Sequence, residues 1–75
     1  MKLSELKVKQ TAQIVSVDCD SMLKNRLYSF GITKGAIIKV EEITLTKSTI
    51  EIKINQSKIA LRMNEASKIE VKDAQ

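Results

Sequence analysis

Both glycines of this sequence, Gly31 and Gly35, lie four positions apart. The backbone conformations that glycine adopts most readily are therefore concentrated in one turn system within residues 20–40. Ahead of Gly31, apolar residues recur at helical spacing, and Asp20 has a side chain that can cap the first turn. The stretch predicts a helix over residues 20–30 that ends at Gly31 and leads through Gly35 into a strand. The residues predicted to pack this helix against the core are Leu23, Leu27 and Phe30.

Alternating apolar residues predict about five short strands around this helix. The alternation is clearest in Ser48–Ile54, where isoleucines alternate with charged residues, so one face is expected to be buried and the other wet. In Thr11–Asp18 the alternation slips, which is typical of a strand that carries a bulge. The remaining strands are predicted over Ala36–Ile43, Lys58–Arg62 and Ile69–Val71.

Short polar segments separate these strands. Ser4 is predicted to cap one helical turn near the start of the chain, with its apolar neighbours tucked inward. Residues 55–57 predict a hairpin turn, residues 64–66 predict a second helical turn, and the tail after Lys72 is expected to be frayed. A flat sheet of this size would leave its edges unpaired. The pattern therefore favours one mainly β domain over residues 1–75, a small SH3-like or OB-like β-barrel with one inserted α-helix, over a split α+β sheet.

Composition argues against an enzyme and against a membrane-spanning protein. The chain has no histidine, the commonest general base and metal ligand, and no G-x-x-x-x-G-K-[ST] phosphate-binding loop. No apolar run reaches the roughly 20 residues of a membrane span, and the charged first segment does not resemble a signal peptide. We therefore expect a cytoplasmic protein with no catalytic residue and no cofactor.

Metal binding and nucleic-acid binding each have partial support. Asp18, Cys19 and Asp20 are metal-ligand types, but neighbouring strand residues point apart and helix capping already explains Asp20, so no metal site is predicted. The net charge of +4 is that of a solvated basic surface, or would favour an acidic partner surface, the anionic inner leaflet of a membrane or nucleic acid. Single-stranded nucleic-acid sites also need aromatic platforms, and only Tyr28 and Phe30 are aromatic. A nucleic-acid-binding or repressor-like regulatory barrel stays as the alternative to a protein-binding module.

An ordered set of motifs over residues 3–71 resembles the FeoA family. The motif L-x-x-R-L-x-x-F-G-I-x-x-G occupies residues 23–35, and A-L-R-x-x-E-A occupies residues 60–66. The chain departs from the family at Lys9, where the family usually has glycine before a glutamine. The residues that we assign to the structural motif are Leu23, Leu27, Phe30, Gly31, Gly35, Leu61 and Glu65.

The resemblance implies an SH3-like barrel with an inserted helix. It also implies an accessory role beside FeoB, a membrane transporter of ferrous iron with a cytoplasmic GTP-binding domain. Such a protein would bind that cytoplasmic region, modulate GTP-dependent transport and reach the membrane only through its partner, with no nucleic acid involved. We expect the contact surface on the exposed side of the helix, at the turn between the glycines and at the nearby hairpin. The predicted partner-binding residues are Lys24, Arg26, Tyr28, Thr33 and Lys34.

Two of the motif residues have a structural interpretation as well. Arg26 lies close to the buried stripe and is predicted to form an ion pair with Glu65 that ties the helix to the barrel, in place of contacting a partner. Arg62 and Glu65 are three residues apart and are also expected to pair locally. Met22 and Tyr28 lie off the stripe and are therefore expected to be exposed.

Overall fold

The computed structural model describes residues 1–74, which form five strands, two short α-helices and one 3₁₀ turn. The predicted strand count, the inserted helix and the second helical turn are confirmed. No helix in this range is long and apolar enough to cross a membrane. In chain order the elements are the 3₁₀ turn Leu3–Glu5, β1 Thr11–Val17, α1 Ser21–Ser29, β2 Ile37–Ile43, β3 Thr49–Ile54, β4 Ser57–Arg62, α2 Met63–Ala66 and β5 Ile69–Asp73.

All five strands belong to one antiparallel sheet, in the order β4-β3-β2-β1-β5. The expected barrel does not close, because β4 and β5 are the two edges of the sheet and do not pair with each other. The β5 edge is covered by the start of the chain: Met1 exchanges backbone hydrogen bonds with Val71, and Lys2 bridges Glu70. The outer edge of β4 has no such cover among the described residues.

The core lies on one face of this sheet and consists of aliphatic side chains. In β3 the isoleucines are buried and the intervening Glu51 and Lys53 face outward, as the alternation predicted. Among residues 1–74 no polar or charged side chain is buried, so burial of apolar area holds the sheet, α1 and the 3₁₀ turn together. The largest fully buried side chains are Leu3, Ile14, Leu27, Ile32, Ile38, Val40, Ile50, Ile52, Ile54, Leu61, Ile69 and Val71.

The irregularity predicted in β1 is a bulge. The pairing register between β1 and β5 shifts between Ile14 and Ser16, so Val15 is the extra residue. A second shift, between Val40 and Glu42, interrupts the pairing of β2 with β3. Bulges bend a strand and increase its twist, which lets so small a sheet wrap over its own core.

α1 ends in a Schellman motif built on Gly31. The Gly31 N–H donates to the Tyr28 carbonyl at 2.9 Å, and the Ile32 N–H donates to the Leu27 carbonyl at 3.0 Å. Gly31 has φ of +91°, a conformation that side-chain-bearing residues rarely adopt. The motif turns Ile32 back onto Leu27, and both side chains are fully buried. The predicted glycine stop is therefore confirmed, and it joins the helix to the core.

Gly35 and Lys9 occupy equivalent positions at opposite ends of the β1–β2 pair. Gly35, with φ of +91°, donates its N–H to the Ile14 carbonyl, and Ile14 donates back to Ala36. The N–H of Lys9, which has φ of +73°, donates to the Val40 carbonyl, and the Val40 N–H donates to the carbonyl of the residue after Lys9. Each is the left-handed first residue of a G1 bulge, a position that glycine normally fills. The lysine at position 9 therefore keeps the turn geometry at a conformational cost.

Replacing Lys9 with glycine is expected to raise the free energy of unfolding by about 0.5–1 kcal/mol, because glycine removes the left-handed strain and loses only part of that gain to chain entropy. Urea denaturation followed by circular dichroism would measure the change. Lys7 in the same turn does not have a positive φ, so Lys7→Gly is the matched control and should destabilise slightly. Equal effects of the two substitutions would contradict the strain at Lys9.

Two predictions about the chain ends are wrong. Ser4 does not cap the first turn, because it lies inside the 3₁₀ turn, whose opening Lys2 N–H donates instead to the Glu5 carboxylate at 2.5 Å. The tail predicted to fray after Lys72 is ordered at Asp73, because β5 extends to that residue and pairs there with β1. The last residue of the predicted tail, Gln75, lies outside the described residues.

Glu70 makes part of the stability depend on pH. Hydrogen bonds from the Met1 amino group and from the Lys2 ammonium, the latter at 3.2 Å, hold the pKa of the Glu70 carboxyl below its ordinary value. The folded-state pKa lies below the unfolded one, so this contribution is present above the unfolded pKa and is lost as pH falls through the folded pKa.

Thermal melting at a series of pH values between about 6 and 3 should therefore show a fall in melting temperature that is smaller in Glu70→Gln than in the parent protein. Glu42→Gln is the matched control, because Glu42 is an exposed residue of β2 with no ion pair among residues 1–74. A Glu70→Gln profile that runs parallel to the parent profile would contradict the assignment.

Candidate functional site

α1 is held to the sheet by few side chains, which leaves most of its surface exposed. Asp20 caps the helix, accepting the Leu23 N–H at 2.9 Å, as predicted. Among residues 21–29 Leu27 alone is fully buried, and Leu23 is half-buried against the core. Phe30 is 39% exposed, so the prediction that it mainly serves the core is wrong. Phe30 is the C-cap of α1 and keeps a helical backbone conformation, but its side chain lies over the edge of β4, where the sheet covers it only in part.

A concavity of the surface lies between α1 and α2, and we call it the α1–α2 groove. It is an open groove of about 600 Å³ whose walls come from the first turns of α1 on one side and from the end of β4 and α2 on the other. Its lining residues are Asp20, Ser21, Met22, Leu23, Arg26, Arg62, Asn64, Glu65 and Lys68.

Glu65 ties the two walls of the groove together. One carboxylate oxygen accepts the Arg62 backbone N–H at 3.0 Å, which satisfies a free donor at the start of α2. The other lies 3.5 Å from Nη1 of Arg26, so the ion pair predicted between Arg26 and Glu65 is present. The ion pair expected locally between the Arg62 and Glu65 side chains is not formed, and Glu65 binds Arg62 only through this backbone hydrogen bond. The Arg26 side chain is still 55% exposed, whereas that of Glu65 is only 13% exposed.

Replacing Glu65 with alanine should lower the free energy of unfolding by about 1–2 kcal/mol, because both the backbone hydrogen bond and the ion pair are lost. Arg26→Ala should cost about 0.5 kcal/mol or less, since it removes only an exposed ion pair. Urea denaturation of both variants would measure the two values. An Arg26→Ala loss as large as that of Glu65→Ala would show that the ion pair, and not the bond to the backbone, holds the groove.

The charges of the groove are unevenly compensated. The Asp20 carboxylate is occupied by capping α1, and Glu65 is paired with Arg26. Arg62 and Lys68 have no ion-pair partner within residues 1–74, so the groove presents two free cations. Met22 lies at its rim with 84% of its side chain exposed. A partner segment with carboxylates and an apolar side chain would therefore find complementary groups here.

The structure does not gather the predicted partner-binding residues into one patch. Helix geometry puts Lys24 and Tyr28 on the flank of α1 opposite Arg26. Thr33 and Lys34 are exposed at the turn after α1, and Lys34 lines a separate shallow groove beside β1. Their part in partner binding stays a prediction, and only Arg26 belongs to the α1–α2 groove.

Sequence reasoning missed two residues of the groove, Arg62 and Lys68. They flank Glu65 at three positions on either side, so the predicted pairing of Glu65 with Arg26 was a signal that could have found them. Within residues 1–74 no three Cys, His, Asp or Glu side chains lie close enough to hold a metal ion. Cys19 is partly buried against the core, between β1 and α1.

Comparison with known proteins gives this surface a family context. The family model described as FeoA domain matches residues 1–73. The Fe(2+) transport protein A of Campylobacter jejuni is 42% identical over 71 residues, covering 95% of this chain and 96% of that protein. The solution structure of a FeoA protein from Chlorobium tepidum superposes with a TM-score of 0.95 at 35% identity, covering all of this chain and 71% of that one.

A third similar structure is described by its fold. FeoA of Stenotrophomonas maltophilia, described as an SH3 domain protein and crystallised with zinc, is 26% identical with a TM-score of 0.84, covering 96% of this chain and 89% of that one. The predicted SH3-like fold with an inserted helix is confirmed, in an open form. With a family match over nearly its whole length, this chain belongs to the FeoA family, and its relatives are named for ferrous iron transport.

Proposed function

We propose that this chain is an accessory protein of ferrous iron uptake that binds the cytoplasmic region of a FeoB-type membrane transporter and modulates its GTP-dependent transport. The family match and the relatives named for Fe(2+) transport support the iron-transport part. The proposal assigns the chain a binding role in the cytoplasm, at the membrane only through its partner, with neither a cofactor nor nucleic acid.

The observation that carries the binding role is the α1–α2 groove. Its two free cations, Arg62 and Lys68, lie beside the exposed side chain of Met22. Cations of this kind steer an acidic partner and fix its orientation, whereas an exposed apolar side chain supplies area that is desolvated on contact. Glu65 keeps both walls in place, so little ordering is needed when a partner binds.

A binding assay with the transporter's purified cytoplasmic domain tests the proposal. The immobilised chain should retain that domain, with a Kd between about 1 and 100 μM and an affinity that falls as salt is raised. GTP hydrolysis by the full transporter in detergent or nanodiscs should change in rate when the chain is added at saturating concentration. Absence of binding at high micromolar concentration, to both the domain and the full transporter, would overturn the proposal.

The nucleic-acid alternative predicts a different result. A barrel that bound single-stranded nucleic acid would be retained on an oligonucleotide column and released steeply by salt. Under the proposal, the chain passes through the oligonucleotide column at physiological salt. The immobilised chain still retains the transporter domain in the separate binding assay.

A further inference from the structure

The outer edge of β4 is an uncovered hydrogen-bonding edge beside a groove. The groove has a volume of about 430 Å³ and lies between the end of α1 and β4. Its walls are Ser29 and Phe30 on the helix side and residues 57–60 of β4 on the sheet side. It is separate from the α1–α2 groove, with which it shares no lining residue.

The register of the β3–β4 hairpin shows which backbone groups face this groove. The two strands are joined by a two-residue turn, so Ile54 and Ser57 form the first hydrogen-bonded pair and the pairs then alternate. The bond from the Met63 N–H to the Ser48 carbonyl, at 2.9 Å, fits the same alternation. The N–H and C=O groups of Lys58 and Ala60 therefore point away from β3, toward open solvent.

These groups have no hydrogen-bond partner in the part of the chain that the structure describes. The next outward donor along the strand, the Arg62 N–H, is already bound by Glu65. The free edge is therefore about four residues long, from Ser57 to Ala60. An extended segment added here would gain backbone hydrogen bonds in the same way as a neighbouring strand.

The charges on the solvent-facing side of the sheet indicate which residues an added segment would have on that side. Lys39, Lys53 and Lys58 are directly opposite one another across β2, β3 and β4, and all three are exposed. None has an ion-pair partner within residues 1–74, and like charges held opposite each other destabilise a sheet. A carboxylate placed opposite Lys58 on an added strand would relieve this repulsion.

On the core-facing side of the same edge, the lining side chains favour an apolar residue. Phe30 is 39% exposed and lines the groove with Ile59, whose side chain faces the core. An added strand alternates its side chains, so a residue next to the one that faces Lys58 would lie between Phe30 and Ile59. Acidic and apolar residues in alternation therefore fit this edge.

A second copy of the chain fits poorly. β4 has no acidic residue, so the β4 edge of a second copy could place no carboxylate opposite Lys58 in any register, and a pair centred on Ala60 would place Arg62 there. We propose that the β4 edge is a recognition site for an extended acidic segment of another protein, which it binds by strand addition with acidic residues toward Lys58 and apolar residues toward Phe30. This inference does not rest on the proposed function, because it specifies the form of the segment and not the protein that supplies it.

A synthetic peptide tests the inference without the transporter. The probe is a seven-residue peptide, blocked at both ends, in which valine and glutamate alternate. NMR titration of the ¹⁵N-labelled chain should give the largest shifts at the amides of Lys58 and Ala60, whose hydrogen exchange should slow about tenfold at saturation. Lys58→Glu should weaken binding about tenfold or more, since it replaces an attraction with a repulsion. Lys72→Glu on the opposite edge of the sheet is the charge-matched control and should leave the affinity within about twofold.

Two further peptides separate strand addition from charge alone. A peptide N-methylated at the residues facing β4 keeps its side chains but loses its donors, and should bind about tenfold more weakly or worse. A peptide with lysine in place of glutamate should not bind. The inference would be overturned if the N-methylated peptide bound as tightly as the parent peptide, or if the largest shifts lay away from β4. It would also be overturned if, without any peptide, the Lys58 signal shifted with protein concentration, because that would indicate pairing between copies of the chain. Because Lys58→Glu removes the repulsion with Lys53, a loss of binding in that variant would not reflect unfolding.

Discussion

Replacing Leu27 with alanine is expected to lower the free energy of unfolding by about 3 kcal/mol, the typical cost of truncating a fully buried leucine. Among residues 21–29 no other side chain is fully buried, and Leu27 also meets Ile32 across the Schellman motif. A domain of 75 residues has a small core, with a total stability on the order of 5 kcal/mol. The substitution should therefore remove more than half of that stability, as measured by urea denaturation with far-ultraviolet circular dichroism.

Phe30→Ala is the control for this result. Phe30 belongs to the same predicted stripe and is larger than Leu27, but 39% of it is exposed. We expect Phe30→Ala to cost about 1–2 kcal/mol, less than Leu27→Ala, because more than a third of the Phe30 side chain is already in contact with water and it lies outside the buried core. A cost for Phe30→Ala equal to that for Leu27→Ala would contradict the view that Leu27 alone anchors the helix.

Reversing the two free cations of the α1–α2 groove is expected to weaken binding to the transporter's cytoplasmic domain by about 100-fold. The variant combines Arg62→Glu with Lys68→Glu, and like charges brought together at an interface cost several kcal/mol. Biolayer interferometry at two salt concentrations would measure the loss and should show a shallower salt dependence for the variant. Both side chains are exposed and have no ion-pair partner within residues 1–74, so the fold should be little changed.

The matched control for that variant is the pair Lys7→Glu and Lys72→Glu, which makes the same change in net charge at exposed positions outside the groove. This pair should weaken binding by about threefold or less, through long-range attraction alone. An equal loss in the two double variants would show that net charge steers the encounter and that the groove is not the contact surface.

The fold could be predicted from the sequence where one local pattern determined one local structure. The isoleucine alternation of β3, the glycine stop at Gly31 and the cap at Asp20 are of this kind. Lys9 could not be identified as left-handed from residue type, because the hydrogen bonds to β2 impose that conformation on a residue that does not favour it. Phe30 was misassigned although it keeps the helical spacing as the C-cap of α1, because its side chain lies over β4, the edge strand, and the strand order is not determined by the spacing.

The candidate site was less predictable than the fold. Arg26 and Glu65 were recognised as partners from their motifs, but the groove that they bridge exists only because α1 and α2 meet in space. Arg62 and Lys68 are ordinary surface residues in the sequence. They become notable when the structure shows that Glu65 is paired with Arg26 and that neither of them has an ion-pair partner between Met1 and Ala74. The uncovered edge of β4 likewise depends on the strand order, which periodicity does not determine.

A cross-saturation NMR experiment on the ¹⁵N-labelled chain bound to the unlabelled cytoplasmic domain of the transporter would locate the contact surface residue by residue. If the transporter docks in the α1–α2 groove, the amide signals of Met22, Arg62 and Lys68 should lose the most intensity, since these residues line the groove. Intensity losses confined to the opposite flank of α1, around Tyr28 and Lys34, would contradict docking in the groove, as would a spectrum left unchanged by the transporter domain.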